Sequence, residues 1–260
     1  MIYASKNIQN SMKKERVYKG RVVFGGHDVR QQEGLQVLFN DGGPGASFIS
    51  ASKADDAVSL EPGCSGEQAD APMAYTQAVL GAEALGTKAE TWIPLPKHAW
   101  PDEWKKVGYV DPVCPFRLSL YGHPMAGVHW ERHCHARLKE AGFQPIPGWE
   151  CLFVHWDLQV MLSVYVADFK MADKTENIPK ACAKIQDSYI KLDKIPPFDH
   201  YLGGGQKPTK ITHKDAEERL TNIATHRPES RNEHREAAQT HDIKSVRYDM
   251  SGFFDQCIRR

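Results

Sequence analysis

Between Val17 and Phe24 apolar and polar positions alternate and several residues are β-branched, which predicts a strand closed by a turn at Gly25-Gly26. Gly42-Gly43-Pro44-Gly45 lacks the GK[ST] of a phosphate loop and reads as a plain turn. Ala74 to Leu85 has a helical pattern, whereas the prolines from Trp92 to Pro101 predict an extended or irregular path. Ala126, Trp130, Cys134, Leu138 and Ala141 then fall on one helical face, with Gly142 as a left-handed cap, so this helix should pack by its Trp130 side.

The apolar runs Cys151 to Trp156 and Val160 to Val166, split by Asp157-Leu158-Gln159, predict a hairpin, and Phe169 to Ala172 returns as a third strand. Within it, Leu162 to Phe169 drives a buried strand into a sharp turn ending at Asp168. An ionised carboxylate there is costly unless a cation or a basic group offsets it, so the position reads as a metal site or the remnant of one. Thr175 to Ile190 predicts a helix with Pro179 in its first turn, and Tyr201-Leu202 a short strand ending at Gly203-Gly204-Gly205. His213 to Asp249 is highly charged and poor in large apolar residues, which predicts a solvated linker or a surface insertion without chemistry. Met250, Phe253, Phe254, Cys257 and Ile258 form an apolar helical stripe, so short that it predicts a piece of a longer polyprotein or a truncated copy of one.

With 260 residues, 41% of them apolar, the chain can bury a core in one large domain or two small ones. Thirty-three basic residues balance thirty-three acidic ones, so no global field draws in nucleic acid and any phosphate binding must be local. The richest local excess is Lys13, Lys14, Arg16, Lys19, Arg21 and Arg30 against Glu15 and Asp28, either a phosphate-facing edge or a solvated basic face. Met1 to Met12 lacks the apolar core of a secretory signal, and no run approaches the roughly 18 apolar residues of a membrane helix, which predicts cytoplasmic or nuclear residence without membrane partners. The 6 cysteines form no CxxC pair, which argues against a disulfide framework or a zinc ribbon. The cluster His129, His133 and His135 with Cys134, in which His129 and His133 are one helical turn apart, makes a competing zinc reading with His123 or Cys151 from another segment.

Asp70 opens the run Asp70-Ala71-Pro72-Met73-Ala74-Tyr75-Thr76-Gln77, a D-x-x-x-A-Y pattern. Leu120-Tyr121-Gly122, Trp130, Gly142-Phe143, Tyr165-Val166-Ala167-Asp168 and Tyr201-Leu202-Gly203 follow in order. On these motifs, from the basic stretch Lys19 to Val23 through Gly203, the chain resembles the reverse transcriptase of copia-type retrotransposons. The resemblance implies an α+β, right-hand polymerase fold of interleaved fingers and palm, its small antiparallel palm sheet backed by helices. Residues 17–206 would form fingers and palm, 1–16 an N-terminal extension, 207–248 a charged linker or insertion, and 249–260 the truncated start of a thumb or connection helix.

The resemblance further implies RNA-directed DNA synthesis with Mg2+ or Mn2+ held by Asp70 and Asp168, and with the backbone carbonyl of Ala71 as a further ligand. Tyr75 would discriminate deoxyribose from ribose, and Lys19 and Arg21 would face the incoming triphosphate, a task suited to cationic side chains. Gly122, Ala126, Tyr165, Leu202 and Gly203 would support template and primer. The implied partners are an RNA or DNA template with its primer, deoxynucleoside triphosphates, and the remaining Pol segments (thumb, RNase H, integrase). Two positions depart from the family pattern. Ala167 replaces the first of two consecutive acids, the one that bridges both metals, and Met125 replaces a usual Gln. A methyl cannot ligate magnesium, so this copy should be inactive or impaired. The alternatives are a non-enzymatic nucleic-acid-binding remnant and a translated pseudogene product.

Overall fold

The computed structural model describes residues 2–6, 17–31, 33–37, 49–80, 90–193, 197, 200–201, 204–226 and 243–251. The chain is mixed α and β with antiparallel sheets. It divides into two compact units interleaved in sequence, one of Met1–Ala46, Ala71–Gln144 and Lys184–Leu192, the other of Ser47–Asp70, Pro145–Ala183 and Asp193–Arg260.

In the first unit, β1 (Ile2–Lys6) pairs antiparallel with β2 (Val17–Arg21). The expected N-terminal extension therefore supplies half of a hairpin. The strand expected to reach Phe24 stops at Arg21, because Phe24 donates its amide to the Tyr121 carbonyl at 2.7 Å and the chain turns into a single 3-10 turn at Gly26–Asp28. Of the helix expected over Ala74 to Leu85, the described residues form one turn, α2 (Ala74–Gln77), and residues 81–85 lie outside them. The turn ends because Ala78 leaves in extended conformation and the chain pairs instead with 117–119, Leu80 donating to the Arg117 carbonyl and Ser119 to that of Ala78. Trp92–Pro94 (β4) and Val113–Pro115 (β5) form a small antiparallel pair, with the short helix α3 (Asp102–Val107) between them.

The helix α4 (Ala126–Glu140) follows the expected periodicity: Ala126, Trp130, Cys134 and Leu138 are buried. It closes as expected at Gly142, whose φ of 94° lets Gly142 and Phe143 donate to the Lys139 and Leu138 carbonyls.

The second unit is built on an antiparallel sheet. Its order is β3 (Cys64–Asp70), β9 (Asp168–Lys174), β8 (Val160–Tyr165), β7 (Leu152–His155) and the short β6 (Gln144–Pro145), through which the chain enters. The helix α1 (Ile49–Leu60) packs along β3, β8 and β9. On β9, Phe169 and Met171 share one face and Lys170 and Ala172 the other, all four buried. Val160, Leu162 and Val164 of β8 complete an apolar core that sequence periodicity alone makes legible.

The helix α5 (Ile178–Asp187) begins three residues later than expected, because Thr175 is tied by amide and hydroxyl to the Gly63 carbonyl and the chain first makes a turn. The charged stretch from 207 onward is not a structureless linker. β11 (Gly204–Ile211) lies between β10 (His200–Tyr201) and β12 (Ile243–Asp249) in an antiparallel sheet, so Gly204 and Gly205 belong to a strand. The helix α6 (His213–His226) follows β11, started by a reciprocal cap between Thr212 and Asp215. The ribbon escaped notice because several of its cross-strand contacts are polar: Thr209 bonds Ser245 at 2.7 Å and Lys207 pairs with Asp249 at 3.1 Å. The expected turn at 42–45 and the apolar stripe beyond Met250 lie outside the described residues. No helix among the described residues is long and apolar enough to cross a membrane.

Candidate functional site

β3 ends at Asp70 and β9 begins at Asp168, and the two acids are register partners across adjacent antiparallel strands. Directly opposite residues hold their Cβ atoms about 4.5–5.5 Å apart on the same face of a sheet. The two residues singled out from separate parts of the sequence are thus side by side at one sheet end. Tyr165, register partner of Asp168 on the other side, completes the row Asp70, Asp168, Tyr165.

Behind it on the same face lies the row Gln68, Lys170, Ser163, and behind that Gly66, Ala172, Met161. Asp70 and Asp168 are both exposed. Desolvation at the strand end nevertheless pushes the Asp168 carboxyl above its ordinary range, and the negative charge of Asp70 pushes it the same way. Asp193 brings another acid to this edge of β3, its amide donating to the Asp70 carbonyl at 2.8 Å.

The turn that delivers Asp168 is tight, with Val166 and Ala167 between the paired residues Tyr165 and Asp168. Val166 sits at a φ of 54°, a left-handed conformation that a β-branched residue adopts only under strain. Ala167 adds no oxygen to the acidic row.

The second row is a charged cluster that sequence reading missed. Lys170, fully buried, donates to the Ser52 carbonyl at 3.0 Å, to Ser52 Oγ at 2.8 Å and to Asp56 Oδ1 at 2.6 Å. The other Asp56 oxygen accepts from Gln206 Nε2 at 3.2 Å and from the Tyr248 hydroxyl. Ser163 Oγ donates to Asp55 Oδ2 at 2.5 Å and lies 3.3 Å from the Tyr201 hydroxyl.

Burial lifts the Asp55 carboxyl to about 7, with the Ser163 bond and the Lys170 charge pulling it only part of the way back. Burial likewise lowers Lys170, against the opposing pull of Asp56. A lysine in a strand usually reads as surface, and what betrays this one is its place between Phe169 and Met171.

The remaining candidates belong to the first unit or lie beyond description. Lys19 and Arg21 stand on β2 opposite Ala4 and Ile2. Lys13, Lys14 and Arg16 lie outside the described residues, and Arg30 is spent on Asp28 at 2.8 Å. Tyr75, on α2, has its ring 4.6 Å from that of Tyr121 at a tilt of 48°. Ala71 is buried.

Gly122 has a φ of 89°, and a Cβ there would meet the Phe24 carbonyl oxygen at 2.2 Å, so backbone packing alone demands glycine. The Ala126 methyl is buried in the first turn of α4. Tyr165 is half-buried, and Leu202 and Gly203 lie outside the described residues.

His123 uses Nδ1 to accept the Met125 amide at 3.1 Å and turns Nε2 toward Thr91 Oγ1 at 3.4 Å. Burial holds it neutral, lowered to about 4. His129 and His133 enter no group of three metal ligands among the described residues. No described cysteine is in a disulfide, and Cys134, Cys151 and Cys182 are buried. Neither the protein-family models nor the curated proteins compared with this chain match it.

Proposed function

We propose that this chain is a fingers-and-palm segment of an RNA-directed DNA polymerase of the copia type, impaired in nucleotidyl transfer by Ala167. The observation that carries the reading is the cross-strand pair Asp70 and Asp168, exposed at one sheet end. Two neighbouring carboxylates, one of them with its proton affinity raised by burial and by the charge of the other, are a donor set that a divalent cation satisfies, so Mg2+ or Mn2+ fits these residues. When bound, the cation would activate the attacking hydroxyl and neutralise triphosphate charge.

Asp70 and Asp168 would hold the cation. The family resemblance would give Lys19 and Arg21 the phosphate oxygens and Tyr75 the selection of deoxyribose by crowding. Ala167 leaves the acidic row one ligand short. Loss of even an outer partner typically costs a metal site about 10 to 100-fold, so loss of a bridging ligand costs more.

The same alanine favours a second reading, in which the chain binds template and primer without copying them. Primer extension with Mg2+ and with Mn2+ separates the two. The unmodified chain should extend poorly or not at all, and Ala167→Asp should raise synthesis at least about tenfold. Template-primer binding with no synthesis by Ala167→Asp selects the binding reading, and an absence of binding by either form defeats both.

A further inference from the structure

We infer that Lys170 is a positioning residue for the acid pair, pinning the register of β9 through Asp56 and Ser52 so that Asp168 stays opposite Asp70. The inference rests on the two-carboxylate reading above. Asp168 is the first residue of its strand, directly after the strained turn from Tyr165 of β8, so its place opposite Asp70 depends on how the rest of β9 is seated against α1 and β3. Side chains alternate along a strand, so a slip of one residue would carry Asp168 to the opposite face and away from Asp70.

The apolar residues of β9 resist such a slip only weakly, because Phe169, Met171 and Ala172 are buried on both faces and one apolar side chain can stand in for another. Lys170 is different. Its ammonium group has three acceptors on α1, and on the opposite face it would meet the apolar layer where Met171 lies against Cys182 at 3.6 Å. A buried ion pair is poor evidence for stability but is well suited to specifying one register, since every alternative leaves a charge without its partner. Asp56 is itself fixed from the far side by Gln206 of β11 and Tyr248 of β12, so the acceptor cannot follow a slipping strand.

The test uses the full chain and Tb3+ as the probe, its luminescence sensitised by Tyr165 in the acidic row. Asp168→Asn identifies the signal that belongs to the pair. Removing only the lysine would leave Asp56 buried without its cation and could unfold the chain, so the informative variant is the neutral pair Lys170→Met with Asp56→Asn. It should melt at or above the temperature of the unmodified chain and yet bind Tb3+ about tenfold more weakly, a split that a purely stabilising role does not produce. Asp56→Asn alone, which keeps shape and an oxygen acceptor, should lose affinity in the same direction.

Either folded variant with unchanged Tb3+ affinity overturns the inference. If the unmodified chain shows no Asp168-dependent Tb3+ signal, the two-carboxylate reading fails by itself. Register is then read from backbone nuclear Overhauser contacts between residues 70 and 168: their loss in the folded neutral pair sustains the pinning role, and their persistence refutes it.

Discussion

A carboxyl removed from water holds its proton more tightly, and Asp55 is such a group: fully buried, bonded by the Ser163 hydroxyl and beside the charge of Asp56. Its folded value of about 7 against 3.8 means that the fold favours the protonated form. That contribution is therefore fully present below about pH 3.8 and is lost as pH rises through about 7. Asn mimics the protonated carboxyl in shape and charge. Asp55→Asn should match the unmodified chain near pH 4 and exceed it at pH 8, by at most a few kcal/mol at about 1.4 kcal/mol per pKa unit. Thermal melts across pH 4 to 8 check this, and parallel curves for the two forms would show that Asp55 is ionised throughout. Asp70 and Asp168 were legible in the sequence because Asp70 opens a recognisable motif and Asp168 ends one. Asp55 and Asp56 were not, because an acid has no sequence mark of burial until partners from distant segments are known, and Lys170 was marked only by its place between Phe169 and Met171.

Among the elements, the most readable were those whose apolar period is set by one buried face, such as α4 and the β7–β8–β9 meander. β3 had no strand pattern in its own residues, and only the family resemblance put Asp70 at a strand end beside the Asp168 hairpin, since Cys64-Ser65-Gly66-Glu67-Gln68-Ala69-Asp70 has little β propensity and is held by its ladder to β9. The α2 helix was overestimated for the converse reason: good helix formers lost to a tertiary pairing with 117–119.

The β8–β9 turn shows the same precedence of context over propensity, for it forces Val166 into a region where a β-branched side chain costs about 1–2 kcal/mol. Asn tolerates that backbone conformation far better. Val166→Asn should raise the stability of the chain by about 1 kcal/mol, seen as a higher denaturation midpoint with an unchanged slope. A lower midpoint would mean that the valine side chain makes contacts worth more than its strain.

At the scale of the whole molecule, the two units draw on segments that alternate along the chain, and one boundary falls between Asp70 and Ala71, inside the very motif that sequence reading treated as continuous. Interleaving of this kind leaves no mark in composition, because no linker is needed where a strand of one unit runs on into the next. The charge balance does survive as a whole-chain property: 33 basic against 33 acidic residues gives no overall attraction to phosphate. If the chain holds template and primer, a few local cations must carry the electrostatic part, Lys19 and Arg21 among them.

Each duplex phosphate neutralised contributes about −0.9 to the slope of log K against log salt, and each single-strand phosphate about −0.7. A grip through about three to five phosphates predicts a slope of about −2 to −4.5. Binding isotherms over a range of salt concentrations, repeated with Lys19→Ala and Arg21→Ala together, should show that slope and its reduction by about 1 to 2. A slope steeper than about −6 would require a broad basic surface that this composition does not supply, and an unchanged slope in the double variant would remove Lys19 and Arg21 from the phosphate contacts.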